Sequence, residues 1–373
     1  MVTGPIVITG GGTGGHVFPM QAIAEQLQAL GVSPDRLRYV GSRRGQEATL
    51  LATGPIPLTL LPGRGVRRSL AWRAVPSNLV ALGGLAAAVV TALVKVARWR
   101  PSVVVSVGGY ASFAASLAAV VWRRPLVLVE FDATPGASQR TLARFATRRC
   151  TTFERNEPRC VITGAPLRQA IIAVDRSDPA RREARARAVP PIDEDRAVVV
   201  VMTGSLGAHR VNCAVSGLAL LWSSRRDRTL IHVTGRRDFA DVLAAQPETA
   251  ELDYRIVDFG DMTQLWSLCD VALCRSGAIT IGELTALGIA SVLVPLPDAP
   301  GDHQTKNALA VVNAGGARLL RDADCTAQSL ASLLDEVLEP GRLAAMSKAA
   351  ASLGRRDAAQ AIARVVLEVA GSA

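Results

Sequence analysis

Aromatic residues are scarce in this chain, 4% of 373 positions, and there are only 4 histidines. Hydrophobic residues still make up 49%, so the core must be built mainly from Ala, Val and Leu, and that apolar content excludes global disorder. Cysteine is sparse too. The 6 thiols include no CxxC pair and have no His at ligand spacing, which counts against structural zinc and against a disulfide framework. The chain opens without a basic segment and cleavage site, and a reducing cytoplasm with reduced thiols is expected. It also lacks an apolar run of the roughly 20 residues that a membrane span needs. The mostly apolar stretch Leu79–Val94 falls short of that, and Gly83, Gly84 and its alanines weaken it further.

Acidic residues are few in the first part of the chain. Up to Gly164 there are 19 Lys and Arg against 7 Asp and Glu; beyond it there are 23 against 25. The net charge of +10 therefore belongs to the first half. No aromatic interleaving or nucleic-acid motif accompanies it, so nucleic acid is not an expected partner. An anionic membrane surface, a phosphorylated substrate and a plain solvated arginine-rich surface all remain open.

What is present is a repeated pattern. Short β-branched runs alternate with longer Ala/Leu stretches of helical period, as in parallel strands joined by crossover helices. Pro5–Thr9, Leu37–Val40, Val103–Val107 and Leu126–Glu130 form one series. Ala197–Met202, Thr229–Val233, Tyr254–Val257, Val271–Cys274 and Ser291–Val294 form a second. The charged, proline-bearing stretch Arg176–Asp195 reads as an exposed connection between them. The length fits two domains, and the expected fold is α/β, two Rossmann-like doubly wound domains facing across a cleft. Asn78–Arg100 reads as a helix, either an ordinary crossover helix or one lying on anionic headgroups through Arg67, Arg68, Trp72, Arg73, Lys95, Arg98, Trp99 and Arg100.

Each series opens with a strand and a glycine turn. Gly10-Gly11-Gly12-Thr13-Gly14-Gly15 satisfies G-x-G-x-x-G, but a dinucleotide site also needs an acid at the end of the second strand, where this chain has Gly41-Ser42. No Walker lysine follows either. His16, next after the glycines, is positioned to take a proton from an acceptor hydroxyl at a backbone open to phosphate or sugar; helix capping is its plainer reading. Thr203–Ala208 offers amides suited to a diphosphate. Glu283, in the first turns after Cys274–Gly282, suits a ribose diol, although a surface glutamate fits the spacing equally. Asp302–Asn307 supplies amides that can read sugar hydroxyls. Asp322-Ala323-Asp324 comes too late in the chain for a metal-binding DxD, and no metal is expected.

Five stretches together resemble the MurG-type transferases of peptidoglycan synthesis, within the two-Rossmann-domain GT-B glycosyltransferases: Gly11–Pro19, Gly108-Gly109-Tyr110-Ala111-Ser112, Gly204–Ala208, Cys274–Glu283 and His303–Ala308. The resemblance implies transfer of N-acetylglucosamine from UDP-N-acetylglucosamine to the muramyl sugar of a polyprenyl-diphosphate-linked acceptor, with inversion and without a cofactor. It implies His16 as the general base. Thr13, Gly14, Gly15, Arg168, Ser205, Met262, Ala278, Glu283, Gln304 and Asn307 would serve the donor; Gly108, Gly109, Tyr110, Glu130 and Asp132 would lie on the acceptor side. It further implies an acceptor domain over 1–166, a donor domain over 167–350, a last helix over about 351–373 packing back on the first, and a peripheral place on the cytoplasmic face of the membrane. Two stretches depart from the family. Val129-Glu130-Phe131-Asp132 stands where His-Glu-Gln-Asn is usual, and Gly164-Ala165-Pro166 where Gly-Asn-Pro is. They keep open a paralogue with another phosphoglycolipid or natural-product acceptor, and an inactive binding homologue.

Overall fold

The computed structural model describes residues 4–12, 14–62, 75–204 and 207–372. The chain forms two compact units, Met1–Arg168 with Arg356–Ala373, and Gln169–Arg355. In the first, seven strands follow in chain order: β1 Ile6–Thr9, β2 Leu37–Ser42, β3 Leu58–Leu61, β4 Val103–Ser106, β5 Leu126–Glu130, β6 Arg148–Thr151 and β7 Cys160–Ile162. They lie in the order β3-β2-β1-β4-β5-β6-β7, every pair parallel. The second holds β8 Ala197–Met202, β9 Arg228–Val233, β10 Asp253–Val257, β11 Val271–Cys274, β12 Ala290–Leu293 and β13 Ala317–Leu319. Their order is β10-β9-β8-β11-β12-β13, again all parallel. Both sheets are doubly wound.

Central strands such as β1, β4 and β5 are buried along their whole length, as strands covered on both faces must be. Small side chains set the packing around them. The helix Val75–Trp99 buries Ala88, Ala92 and Val96 at helical spacing, in a cluster with Ala114, Ala115, Ala118 and Ala119 of the helix Tyr110–Val121. Its far side leaves Val90 and Val94 exposed. No helix among the described residues is long and apolar enough to cross a membrane. The helix Ala358–Gly371 packs on the helix Gly14–Ala29 and against β4, β5 and β6, burying Ile362, Ala363 and Val366.

Arg176–Asp195 is largely exposed, as expected, but it belongs to the second unit rather than lying between the two. It contains the helix Asp178–Arg187, which is drawn onto the second unit by the buried carboxylate of Asp270. Arg181 meets Asp270 at 2.7 Å and the buried Arg185 pairs with it as well, because a buried carboxylate needs charged partners. The strands β3, β6, β7 and β13 were not among the expected ones, although β3 reads Leu-Thr-Leu-Leu; they lie at or next to sheet edges.

Candidate functional site

Doubly wound sheets bind ligands beyond the carboxyl ends of their strands, where neighbouring crossovers diverge. In the first unit that point lies between β1 and β4. A Cβ on Gly10 would stand 2.3 Å from Val107 Cγ2, and one on Gly109 would stand 2.1 Å from the Gly11 carbonyl oxygen. The turns after the two strands therefore meet backbone to backbone, which only glycine permits. His16 is half-buried in the first turn of the helix Gly14–Ala29. Its Nε2 would lie 3.2 Å from a Cβ on Gly108, and its ring is centred 5.8 Å from that of Phe131, just past β5. Gly14 and Gly15 open the same helix, and Arg168 lays its guanidinium 4.3 Å from the centre of the Phe18 ring on it.

Other expected acceptor-side residues stand differently. Glu130 is fully buried; Arg149 donates to its two oxygens at 3.1 and 2.9 Å, and Arg155 approaches at 3.5 Å. A carboxylate so enclosed braces β5 against β6 and offers no oxygen to a substrate. Asp132 is half-buried, and its carbonyl oxygen accepts from Arg155 at 3.3 Å. Thr13, Ser205, the side chain of Tyr110, and Arg67, Arg68, Trp72 and Arg73 lie outside the described residues. Sequence reasoning did not find Gln139, whose buried amide donates to the carbonyls of Ser106 and Val129, both at 3.2 Å, lacing the ends of β4 and β5.

In the second unit the corresponding point lies between β8 and β11. Gly207 and Gly235 have φ of 79° each, and a Cβ on Gly235 would stand 2.3 Å from Gly207 N, so the turns after β8 and β9 are also stacked through glycine. Thr203 Oγ1 donates to the carbonyls of Val233 and Thr234 at 3.1 and 2.9 Å. Beneath them runs a buried chain of side chains. Asn212 donates to the Thr234 carbonyl and to Asp238 Oδ2 at 3.1 and 2.9 Å, which leaves its Oδ1 to face His232 Nε2 at 2.9 Å. His232 must therefore carry its proton on Nε2, and its Nδ1, 2.9 Å from Tyr254 Oη, accepts from that hydroxyl. Burial pushes the His232 imidazole down to about 3, so it stays neutral. The Arg237 guanidinium hydrogen-bonded to Asp238 holds that carboxyl below the usual range.

Ala278 opens the helix Ala278–Leu287, on which Glu283 is 6% exposed and accepts from Trp266 Nε1 at 2.8 Å. Trp266 belongs to the helix Met262–Leu268, where Met262 is the first residue. Gln304 turns its Oε1 to the Leu296 N–H at 3.0 Å, and Ser276 Oγ donates to the Gln304 carbonyl at 2.8 Å. Asn307 is fully buried and donates to the Ser276 carbonyl at 3.1 Å. Gln304 through its carbonyl and Asn307 through its side chain thus meet one turn, Arg275-Ser276-Gly277, while Glu283 faces Trp266. Asp322 pairs with Arg275 at 2.7 Å.

Residues 6–151 match the glycosyltransferase family 28 N-terminal domain and residues 198–362 its C-terminal domain. A UDP-N-acetylglucosamine–N-acetylmuramyl-(pentapeptide) pyrophosphoryl-undecaprenol N-acetylglucosamine transferase of Alkalilimnicola ehrlichii is 38% identical over 379 residues, covering 99% of this chain and 100% of the relative. One of the same name from Desulforudis audaxviator is 35% identical, covering 98% of each. The crystal structure of Acinetobacter baumannii MurG matches with a TM-score of 0.75 at 26% identity, over 98% of this chain and 100% of that one.

Proposed function

The chain belongs to glycosyltransferase family 28, and from that we propose that it transfers N-acetylglucosamine from UDP-N-acetylglucosamine to the muramyl sugar of a pentapeptide-bearing pyrophosphoryl-undecaprenol, inverting the anomeric carbon. The observation that carries this reading is the end-to-end match to transferases of that activity, with His16 kept beside the β1 and β4 turns.

In the reaction, the muramyl hydroxyl oxygen bonds to the anomeric carbon from the face opposite UDP while the bond to the diphosphate oxygen breaks. His16 takes the hydroxyl proton. The departing diphosphate gains negative charge, which the Thr203–Ala208 turn and the start of the helix His209–Leu221 are suited to receive. On this reading the ribose and sugar are held around Arg275-Ser276-Gly277, with Glu283 fixed by Trp266 and Gln304 fixed by the Leu296 amide so that its own N–H groups can donate.

Localisation at the cytoplasmic face of the membrane belongs to the same proposal. Its supports are the exposed Val90 and Val94, the exposed Trp122 whose indole donates to the Leu93 carbonyl at 3.0 Å, and the basic surplus of the first half. A second reading, the same chemistry on another lipid-linked or natural-product acceptor, is favoured by one contact. Phe131 puts an apolar ring against His16 where the resembling family has an amide.

A mass-spectrometric screen separates the two. Labelled UDP-sugars are offered to the purified protein with a short-chain muramyl diphosphate lipid and alternative lipid-linked acceptors. Product from UDP-N-acetylglucosamine and the muramyl lipid is expected. Its absence sinks the first reading, and product on a different acceptor alone establishes the second.

A further inference from the structure

The carboxylate of Glu47 lies entirely inside the first unit, 0% exposed. Its Oε1 accepts from the Gly12 N–H and from the Ser42 N–H, both at 3.0 Å. Its Oε2 has no partner among the described residues. Three glycines make room for it. A Cβ on Gly11 would lie 1.5 Å from Oε1, one on Gly45 would lie 1.7 Å from Oε2, and one on Gly41 would lie 2.8 Å from Cγ. Burying a carboxylate on two amides, with one oxygen left over, is costly, and a fold that retains such a group is using it.

Its location shows the use. Dinucleotide-binding sheets place an acid at the end of the second strand and offer the glycine-loop amides to a pyrophosphate. Here β2 ends in Gly41-Ser42, and the acid arrives five residues later, turned inward onto one of those amides. We propose that Glu47 is the positioning residue of the acceptor-side loop, a built-in hydrogen-bond acceptor that occupies the inner face of the Gly10–Gly12 backbone and thereby fixes where the helix bearing His16 begins. The catalytic consequence rests on the transferase reading; the loop-holding does not.

The test uses the full chain and two readouts. In Glu47→Ala, hydrogen exchange at Gly12 and Ser42 is expected to accelerate, and kcat to fall by about 10- to 100-fold, the scale of an ångström-sized misplacement, with KM for UDP-N-acetylglucosamine held within about twofold. Glu47→Gln, which keeps the volume and one acceptor oxygen, should recover most of both. Unchanged exchange at Gly12 overturns the proposal, as does accelerated exchange with unchanged kcat, or an equal loss in donor KM. If Glu47→Ala does not fold, Glu47→Gln against Glu47→Asp decides. The shortened carboxylate should leave Gly12 less protected and turnover lower than the amide does, and the reverse order overturns the proposal. A wild-type chain without turnover on these substrates removes the transferase reading, while the exchange data still decide whether Glu47 holds the loop.

Discussion

The acid–base chemistry of the proposed reaction rests on one imidazole, His16, and the donor grip on carboxylate and amide groups oriented by their neighbours. His16→Ala is expected to lower turnover by about two to four orders of magnitude, the usual weight of a positioned general base, with UDP-N-acetylglucosamine binding retained by calorimetry; turnover within a few-fold of wild type removes His16 from that role. Glu283 makes a different prediction. One of its oxygens is held by the Trp266 indole, and a hydrogen bond to a charged group contributes about 1.5–3 kcal/mol. Trp266→Phe should therefore raise the donor KM by about tenfold or more and leave the acceptor KM alone. A change confined to the acceptor would show that Glu283 does not serve the donor. Both residues carried motif signals in the sequence. Trp266 and Glu47 did not, because what identifies them is a partner distant in the chain.

At the scale of elements, the second unit's glycine turn is held from below by Asn212 on a helix, His232 on β9 and Tyr254 on β10. Folding keeps His232 neutral, whereas in the unfolded chain it takes a proton near its ordinary value of 6.5. The unfolded state thus binds more protons below that pH, and stability declines as pH falls from about 6.5 toward about 3. This single group adds a slope of up to about 1.4 kcal/mol per pH unit. Denaturant midpoints of the second unit between pH 6.5 and 4.5 should show that slope in the wild type and lose it in His232→Gln; equal slopes in the two proteins would refute the assignment. Elements with strong apolar runs, such as β4, β5, β8 and β11, were legible in the sequence, and the Arg148–Thr151 strand was not. Its Arg149 is buried only because Glu130 and Glu157 neutralise it, and hydrophobic pattern carries no trace of such a pairing.

At the scale of the molecule, the membrane proposal rests on the basic surplus of the first half and on the exposed Val90 and Val94 of the helix Val75–Trp99. Binding to vesicles containing anionic lipid should weaken as salt rises, and should drop when Arg67, Arg68 and Arg73 are neutralised or when Val90 and Val94 are replaced by Asp. Binding indifferent to both sets would return this helix to an ordinary packing role. Sequence alone determined the two-fold repetition of a parallel-sheet pattern, the paired glycine turns and the family, because strand burial and close backbone approach each restrict residue type at fixed local spacing. Tertiary structure decided which protein groups each polar residue pairs with. Glu130 and Asn307 are turned into supports and Glu47 into the inner brace of the first loop, since a carboxylate or amide acquires its role from partners brought to it by folding.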